Sequence, residues 1–192
     1  DRNKGIEFTW SVWLFINQEN DASDPKNIFV KGDSQFDGTT KINLLNGPGL
    51  YLQDDTATSP GTYKLVVKID TMNDTETAEI NGVPINKWFH VAIRMQNKVM
   101  DTYVNGVVTD RFNLPSLPKQ NFNNVTIHGK GGYSGSTSNL RYYNYALNVF
   151  EINNIVMFGP DLSPSSLSAD SKALSGNYSF LASSWYGKNY NM

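Results

Sequence analysis

The sequence predicts an all-β fold: a two-sheet antiparallel sandwich with one short helix near its C-terminal end. Apolar and polar residues alternate along many short segments, and Gly, Pro, Asn or Asp separates most of these segments. Such punctuated alternation is typical of half-buried strands in a sandwich or barrel. In addition, Asn105-Gly106 lies between apolar residues. This dipeptide favours a tight hairpin turn because it accepts positive φ at both central positions.

Composition narrows the function classes. The chain of 192 residues is long enough to bury a sizeable core as one domain. Its net charge of -2 gives no reason to expect nucleic acid or an anionic membrane as the partner. The chain has no cysteine, which excludes disulfides and thiolate metal sites. No window approaches the ~18 apolar residues of a membrane-spanning helix, so no membrane insertion is expected.

The first predicted strand has the clearest alternation. Between Ile6 and Asn17, Trp10 points to one face and Trp13 to the other. Aromatic residues enter the second face halfway along, so we expect this face to become packed there. Further strands are predicted at residues 27–31, 41–45, 49–53, 62–70, 77–80, 88–95, 100–104, 107–110, 124–129 and 138–143.

One helix is predicted at residues 146–157. Asn148 is a suitable N-cap, and Glu151 three residues later completes a capping box. Gly159-Pro160 ends the helix. An apolar stripe can form from Leu147, Phe150, Ile155 and, less regularly, Ile152 and Val156.

The composition changes after the helix. We therefore divide the chain into a domain at residues 1–158 and a Ser/Pro-rich arm at residues 159–192 whose last part is aromatic. Such a terminus is expected to pack on the domain or to dock on a neighbouring subunit. The candidate docking residues are Trp185, Tyr186 and Tyr190.

Five segments carry a family resemblance. They are residues 8–14 (FTWSVWL), 28–32 (IFVKG), 88–92 (WFHVA), 103–106 (YVNG) and 138–152 (SNLRYYNYALNVFEI). In this order they resemble the recurring motifs of the laminin-G-like, concanavalin A-like jelly-roll domains. The resemblance implies a jelly-roll sandwich, while its function stays open, because this superfamily includes lectins, pentraxins, adhesion modules, glycosidases and virion proteins.

Catalysis is not expected. Glycosidases of this fold carry an E-x-D-x-x-E pattern on one strand, so that two carboxylates converge. The nearest match here is Glu19-x-Asp21-x-x-Asp24, which lies in a polar loop and ends in Asp. His90 alternates away from apolar neighbours, and we interpret it as a structural histidine.

Two sets of candidate site residues follow. Sugars are bound by exposed rings beside polar groups, and the candidates of this kind are Asp54, Asp55, Tyr133, Asn139 and Tyr143, with Trp13 and Trp185 as alternatives. Calcium takes hard oxygen ligands from loops, and the candidates are Asp21 with Asp24, or Asp33 with Asp37. Calcium is the one cofactor considered.

The predicted function is a non-enzymatic recognition module that binds a glycan or a protein partner at a surface. The expected location is extracellular, on a cell surface or in a virion. One alternative is a structural component of a larger assembly, such as the virion capsid of a large DNA virus, in contact with neighbouring subunits. Another alternative is a polysaccharide-active hydrolase or lyase.

Overall fold

The predicted sandwich of two antiparallel sheets is confirmed. The computed structural model describes residues 6–19, 22–33, 35, 37–55, 61–129 and 132–163. Its elements are β1 (Glu7–Ile16), β2 (Lys26–Lys31), β3 (Gly49–Asp54), β4 (Tyr63–Asp70), β5 (Thr75–Ile80), β6 (Trp88–Gln96), β7 (Val99–Val104), β8 (Val107–Asn113), β9 (Val125–Ile127), β10 (Gly135–Tyr143) and α1 (Val149–Phe158). The first sheet has the strand order β10-β1-β6-β7-β8, and the second has the order β5-β4-β3-β2-β9.

The core lies between the two sheets, and β1 shows why the chain folds this way. Trp10, Leu14 and the other inward residues of β1 join one cluster with the inward side chains of the second sheet. The outward side is also buried, since Ser11 is 1% and Trp13 is 4% exposed. The outward face of β1 is therefore packed already from Thr9 rather than only from the middle, because Thr9 hydrogen-bonds to Tyr145 and Leu147 in the chain before α1.

The hairpin predicted at Asn105-Gly106 joins β7 to β8. Asn105 has φ 49° and Gly106 has φ 82°, as the turn requires. The Asn105 side-chain oxygen also accepts a hydrogen bond of 2.9 Å from the backbone N–H of His90. The turn is thereby attached to the start of β6.

The strand predicted at residues 41–45 is wrong. This segment is irregular, and polar side chains take up its backbone groups. The N–H of Asn43 donates to the Tyr51 hydroxyl at 3.2 Å, and the N–H of Asn46 donates to Asp70 at 2.9 Å. The neighbouring strand β2 already has β3 and β9 on its two sides, so no free edge remains there for this segment to join.

The predicted caps of the helix are confirmed, but α1 begins at Val149 rather than at residue 146 because Asn148 is its N-cap. The Asn148 side chain accepts from the N–H of Glu151, and the Glu151 side chain accepts from the N–H of Asn148. Leu147 and Ile152 are buried with Ala92 on the outer face of the first sheet. The stripe prediction is wrong for Phe150, which is 81% exposed. Within the described ranges, no helix is long and apolar enough to cross a membrane.

Candidate functional site

The predicted ligand residues do not form one site. Asp54 ends β3 close to Ala22, whose carbonyl oxygen accepts its N–H at 2.9 Å. Asp55 is buried, with 3% exposure. Tyr133 lies at the same end of the sandwich, because its neighbour Gly132 bridges to Asn27 near the start of β2.

Tyr133 is occupied by contacts inside the protein. Its hydroxyl donates to the carbonyl oxygen of Ser136 at 2.7 Å and lies 2.9 Å from the Thr137 hydroxyl. Burial raises the pKa of Tyr133 to about 12. The His128 ring packs beside it, with centroids 4.9 Å apart, so this ring supports the rim rather than presenting a free face.

The other two ligand candidates lie on β10. Asn139 has φ 50° where the register with β1 shifts. Tyr143 points outward and packs on the small cluster that includes Tyr103 and Leu147. Tyr143 is paired with Thr9 near the start of β1, at the end of the sandwich opposite Tyr133.

The alternative ligand residue Trp13 is buried. The other alternative, Trp185, and the docking candidates Tyr186 and Tyr190 lie outside the described residues.

Two of the calcium candidates, Asp33 and Asp37, stabilise local backbone turns. The Asp33 carboxylate accepts the N–H of Gln35 at 3.0 Å, and the Asp37 carboxylate accepts the N–H of Thr39 at 2.7 Å. The backbone N–H groups of Thr39 and Thr40 lower the pKa of Asp37. Asp24 is exposed, and Asp21 lies outside the described residues. In the part of the chain that is described, no group of three or more His, Cys, Asp or Glu side chains could hold a metal ion. Calcium binding stays a prediction.

His90 is part of the packed outer face of the first sheet. Its ring is fully buried, and Nε2 lies 2.8 Å from the Ser11 hydroxyl. The ring also meets Trp13 edge-on, with centroids 5.4 Å apart. Because burial lowers the pKa of His90 to about 4, the ring is neutral at pH 7.

A groove of about 830 Å³ opens at one end of the sandwich, the end opposite Tyr133. The ends of β2 and β4 reach it through Lys31 and Ile69 of the second sheet. The start of β1, the end of β10 and the connection 118–122 line the groove.

Aromatic rings form one wall of this groove. Tyr142 is 54% exposed, and its ring centroid lies 5.0 Å from that of Trp10. Phe8 extends the wall, 6.4 Å from Tyr142. Trp10 is 6% exposed and also packs on Phe29 of the second sheet, 5.2 Å away. The core therefore fixes Trp10, and Trp10 in turn holds Tyr142 at the groove.

The opposite wall is the connection 118–122, which is attached to the second sheet. The Lys119 N–H donates to the carbonyl oxygen of Asp70 at 2.8 Å. The Asn121 side-chain amide donates to the carbonyl oxygen of Lys31 at 3.2 Å, and the Lys31 ammonium donates to the carbonyl oxygen of Asn123. Phe122, between these anchors, is 98% exposed.

The groove combines ring faces with amides. Gln120, Asn121 and Asn144 supply amide groups beside the aromatic wall. Glu7 is the one carboxylate among the described lining residues, and its Oε1 accepts from Gln96 at 3.3 Å. Hydrolysis of a glycosidic bond generally uses a pair of carboxylates, whereas binding needs only ring faces and hydrogen-bonding groups.

Sequence reasoning missed this groove because its walls are distant in the chain. Trp10 and Tyr142 are joined by strand pairing, which no local pattern reveals. One local signal was present, however. Phe122 stands in the run Gln120-Asn121-Phe122-Asn123-Asn124, which is an aromatic residue flanked by amides, the same criterion by which the other candidates were chosen.

Comparison with solved structures agrees with the fold. The native heptameric SAP-like pentraxin from Limulus polyphemus matches with a TM-score of 0.51 and 15% identity over 79% of this chain and 70% of the pentraxin. The binding domain of botulinum neurotoxin DC, solved in complex with rat synaptotagmin II, has a TM-score of 0.56 and 17% identity. That match covers 78% of this chain but only 35% of the toxin domain.

A third similar structure is domain 4 of a GH43 extracellular arabinanase from Geobacillus stearothermophilus, in complex with arabinotriose. Its TM-score is 0.52 and its identity 16%, over 80% of this chain and 68% of that domain. At these identities the matches show a shared fold.

Sequence comparison identifies the family. No curated protein sequence matches the chain. A family model described as the concanavalin A-like lectin/glucanases superfamily matches residues 2–153, which include the five segments whose motifs carried the resemblance. The chain therefore belongs to the laminin-G-like family of the concanavalin A-like lectin/glucanase superfamily.

Proposed function

We propose that this protein is a non-enzymatic binding module that holds a glycan in the groove between the start of β1, the end of β10 and the connection 118–122. The observation that carries the proposal is the aromatic wall of Trp10 and Tyr142 facing an exposed Phe122 on the opposite side. The apolar faces of sugar rings pack on such side chains, while nearby amides bind the hydroxyl groups.

The size and anchoring of the groove support this proposal. Its volume of about 830 Å³ falls within the roughly 300–1,000 Å³ of small-molecule sites. The Trp10 ring is held by the core and Asn121 by the carbonyl oxygen of Lys31. A site that is largely formed before binding loses little conformational entropy when the ligand arrives.

The charge of the groove favours a neutral sugar. Lys31 and Lys119 are opposed by Glu7 among the lining residues, so only a small positive charge remains. Ring contacts and amide hydrogen bonds then supply most of the affinity. Such affinity depends weakly on salt, because screening acts on charges rather than on apolar contacts.

The similar structures support the class of function and the proposed place of action. The family model and the three structures belong to a fold used for binding, and the arabinanase domain was solved with a bound oligosaccharide. That arabinanase is an extracellular enzyme. We therefore propose that this chain acts outside the cell or on a surface.

A glycan array tests the proposal. The wild-type protein is applied with and without calcium, beside the variants Phe122→Ala and Phe150→Ala. Both replace a phenylalanine that is more than four-fifths exposed, but only Phe122 lines the groove. We expect binding that Phe122→Ala weakens and Phe150→Ala leaves unchanged. Absence of binding to every glycan would contradict the proposal, as would equal binding by both variants.

The assembly alternative rests on the aromatic arm, whose residues 164–192 lie outside the described ranges. Sedimentation of the purified chain over a range of concentrations tests it. A monomer at all concentrations, together with glycan binding, favours the recognition module. A stable oligomer without glycan binding favours the structural component.

A further inference from the structure

The helix α1 presents an apolar face to solvent. Phe150 is 81% exposed, Met157 is 61% exposed and Phe158 is 82% exposed. Phe150 and Met157 are seven residues apart and so lie on one side of the helix, opposite the buried Ile152. A helix on the surface of a soluble domain normally places polar residues on that side. Here three large apolar side chains occupy that side, around one exposed amide, Asn154, which is four residues from both Phe150 and Phe158.

The chain leaves the described region close to this face. α1 ends at Phe158, and Asp161 then accepts a hydrogen bond of 2.7 Å from the Ser138 hydroxyl through its carbonyl oxygen. Ser138 is paired with Trp13 on the outer face of the first sheet. The segment that starts at residue 164 therefore begins on the same side of the sheet that α1 covers.

The segment beyond residue 163 is long enough to reach this face and carries large apolar side chains at its end. Residues 164–177 are rich in Ser and can extend for roughly 45 Å, whereas the ten residues of α1 are about 15 Å long. After them the chain carries the large side chains Tyr178, Phe180, Leu181, Trp185, Tyr186, Tyr190 and Met192, with Lys188 as the one charged residue among 178–192.

We infer that residues 178–192 of the same chain dock on the apolar face of α1 formed by Phe150, Met157 and Phe158. Tethering favours this occupant over a second copy. An exposed helix face of about 15 Å by 10 Å is far smaller than the roughly 800 Å² per partner that a standard interface buries. A tethered segment binds at an effective concentration in the millimolar range, so a small apolar contact suffices.

The inference is independent of the glycan proposal, because Phe150, Met157 and Phe158 are not among the residues that line the groove. It gives the aromatic arm a role in covering the domain's own helix. The arm would then be unavailable for docking on a neighbouring subunit.

A paramagnetic label on the arm of the full chain tests the inference. The chain has no cysteine, so Ser183→Cys gives a single attachment point for a nitroxide. We expect the amide NMR signals of residues 149–158 to lose most of their intensity when the label is oxidised. We expect those of the distant strand β5 to keep theirs.

Further samples test whether the apolar face of α1 makes the contact and whether the contact lies within one chain. In the labelled chain, Phe150→Gln with Met157→Gln should restore the signals of α1, whereas the control Phe122→Gln should not. Glutamine is chosen because it is a good helix former. Unaffected α1 signals in the parent would overturn the inference. So would equal broadening in a mixture of nitroxide-labelled chains with isotope-enriched chains that carry no nitroxide, because the contact would then join two copies.

Discussion

Trp10 of β1 and Tyr142 of β10 are paired directly in the first sheet, and their rings lie 5.0 Å apart with planes inclined by 53°. Trp10 belongs to the core, whereas Tyr142 is half exposed at the groove. The buried Trp10 ring therefore fixes the position of the Tyr142 ring, which lies at a surface that can contact a ligand. This pair is the reason why we place the binding site in this groove rather than at the other end of the sandwich, around Asp54 and Tyr133.

Replacing Tyr142 separates its contribution to folding stability from its contribution to glycan binding. We expect Tyr142→Ala to lower the free energy of unfolding by about 2 kcal/mol, since it removes the buried part of the ring and an aromatic pair that contributes roughly 1 kcal/mol beyond that area. We expect the dissociation constant for a glycan to rise at least about tenfold, which corresponds to ~1.4 kcal/mol. Tyr142→Phe keeps the ring and should retain binding. Unchanged affinity of Tyr142→Ala, measured by calorimetry, would contradict this role.

Asp101 holds together the outer face of the first sheet. Its fully buried carboxylate pairs with Arg94 at 2.9 Å and with Arg111 at 2.6 Å. We expect Asp101→Asn to lower the free energy of unfolding by about 3 kcal/mol, because Arg94 is left partly buried without its counter-charge. The control Glu79→Gln breaks an exposed pair with Lys64 and should cost less than about 1 kcal/mol. Urea unfolding measures the stability of both variants, and equal losses would contradict the stabilising role of Asp101.

His90 should make stability depend on pH. Its pKa is about 4 in the folded protein and near 6.5 in the unfolded chain. Between these values the unfolded state binds more protons, so stability is complete above pH 6.5 and is lost as the pH falls towards 4. We expect a loss of about 3 kcal/mol over this window.

The pKa itself can be measured by NMR titration of the ring protons. The chain has two histidines, and burial also lowers the pKa of His128. We expect two resolved titrations, with that of His90 at the lower pH. A His90 ring that titrates near 6.5, or a free energy of unfolding that stays constant from pH 7 to 4, would show that the ring is not packed as described.

Gly106 couples the β7–β8 hairpin to α1. It has φ 82°, and an added Cβ would overlap the side-chain oxygen of Asn153 on α1. Gly82 also has positive φ, but nothing lies within 4 Å of its added Cβ. We expect Gly82→Ala to cost about 1–2 kcal/mol from the left-handed backbone alone, and Gly106→Ala to cost more. Thermal unfolding compares them, and a smaller loss for Gly106→Ala would argue against the contact with α1.

The fold was predictable from local signals, but the candidate site was not. The Asn105-Gly106 turn and the Asn148–Glu151 capping box depend on neighbouring residues, so the sequence displays them directly. The wall of Trp10 and Tyr142 depends on strand pairing across most of the chain. Likewise, the exposure of Phe150 follows from which side of α1 meets the sheet, and an apolar pattern with two possible sides does not determine this.

The most direct test of the central claim is a calorimetric titration of a glycan selected by the array into the wild type, Phe122→Ala and Phe150→Ala. The two variants remove the same ring from positions that are both more than four-fifths exposed, one lining the groove and one on α1. We predict that Phe122→Ala weakens binding about tenfold or more and that Phe150→Ala binds like the wild type. Equal affinities for all three proteins would contradict the account.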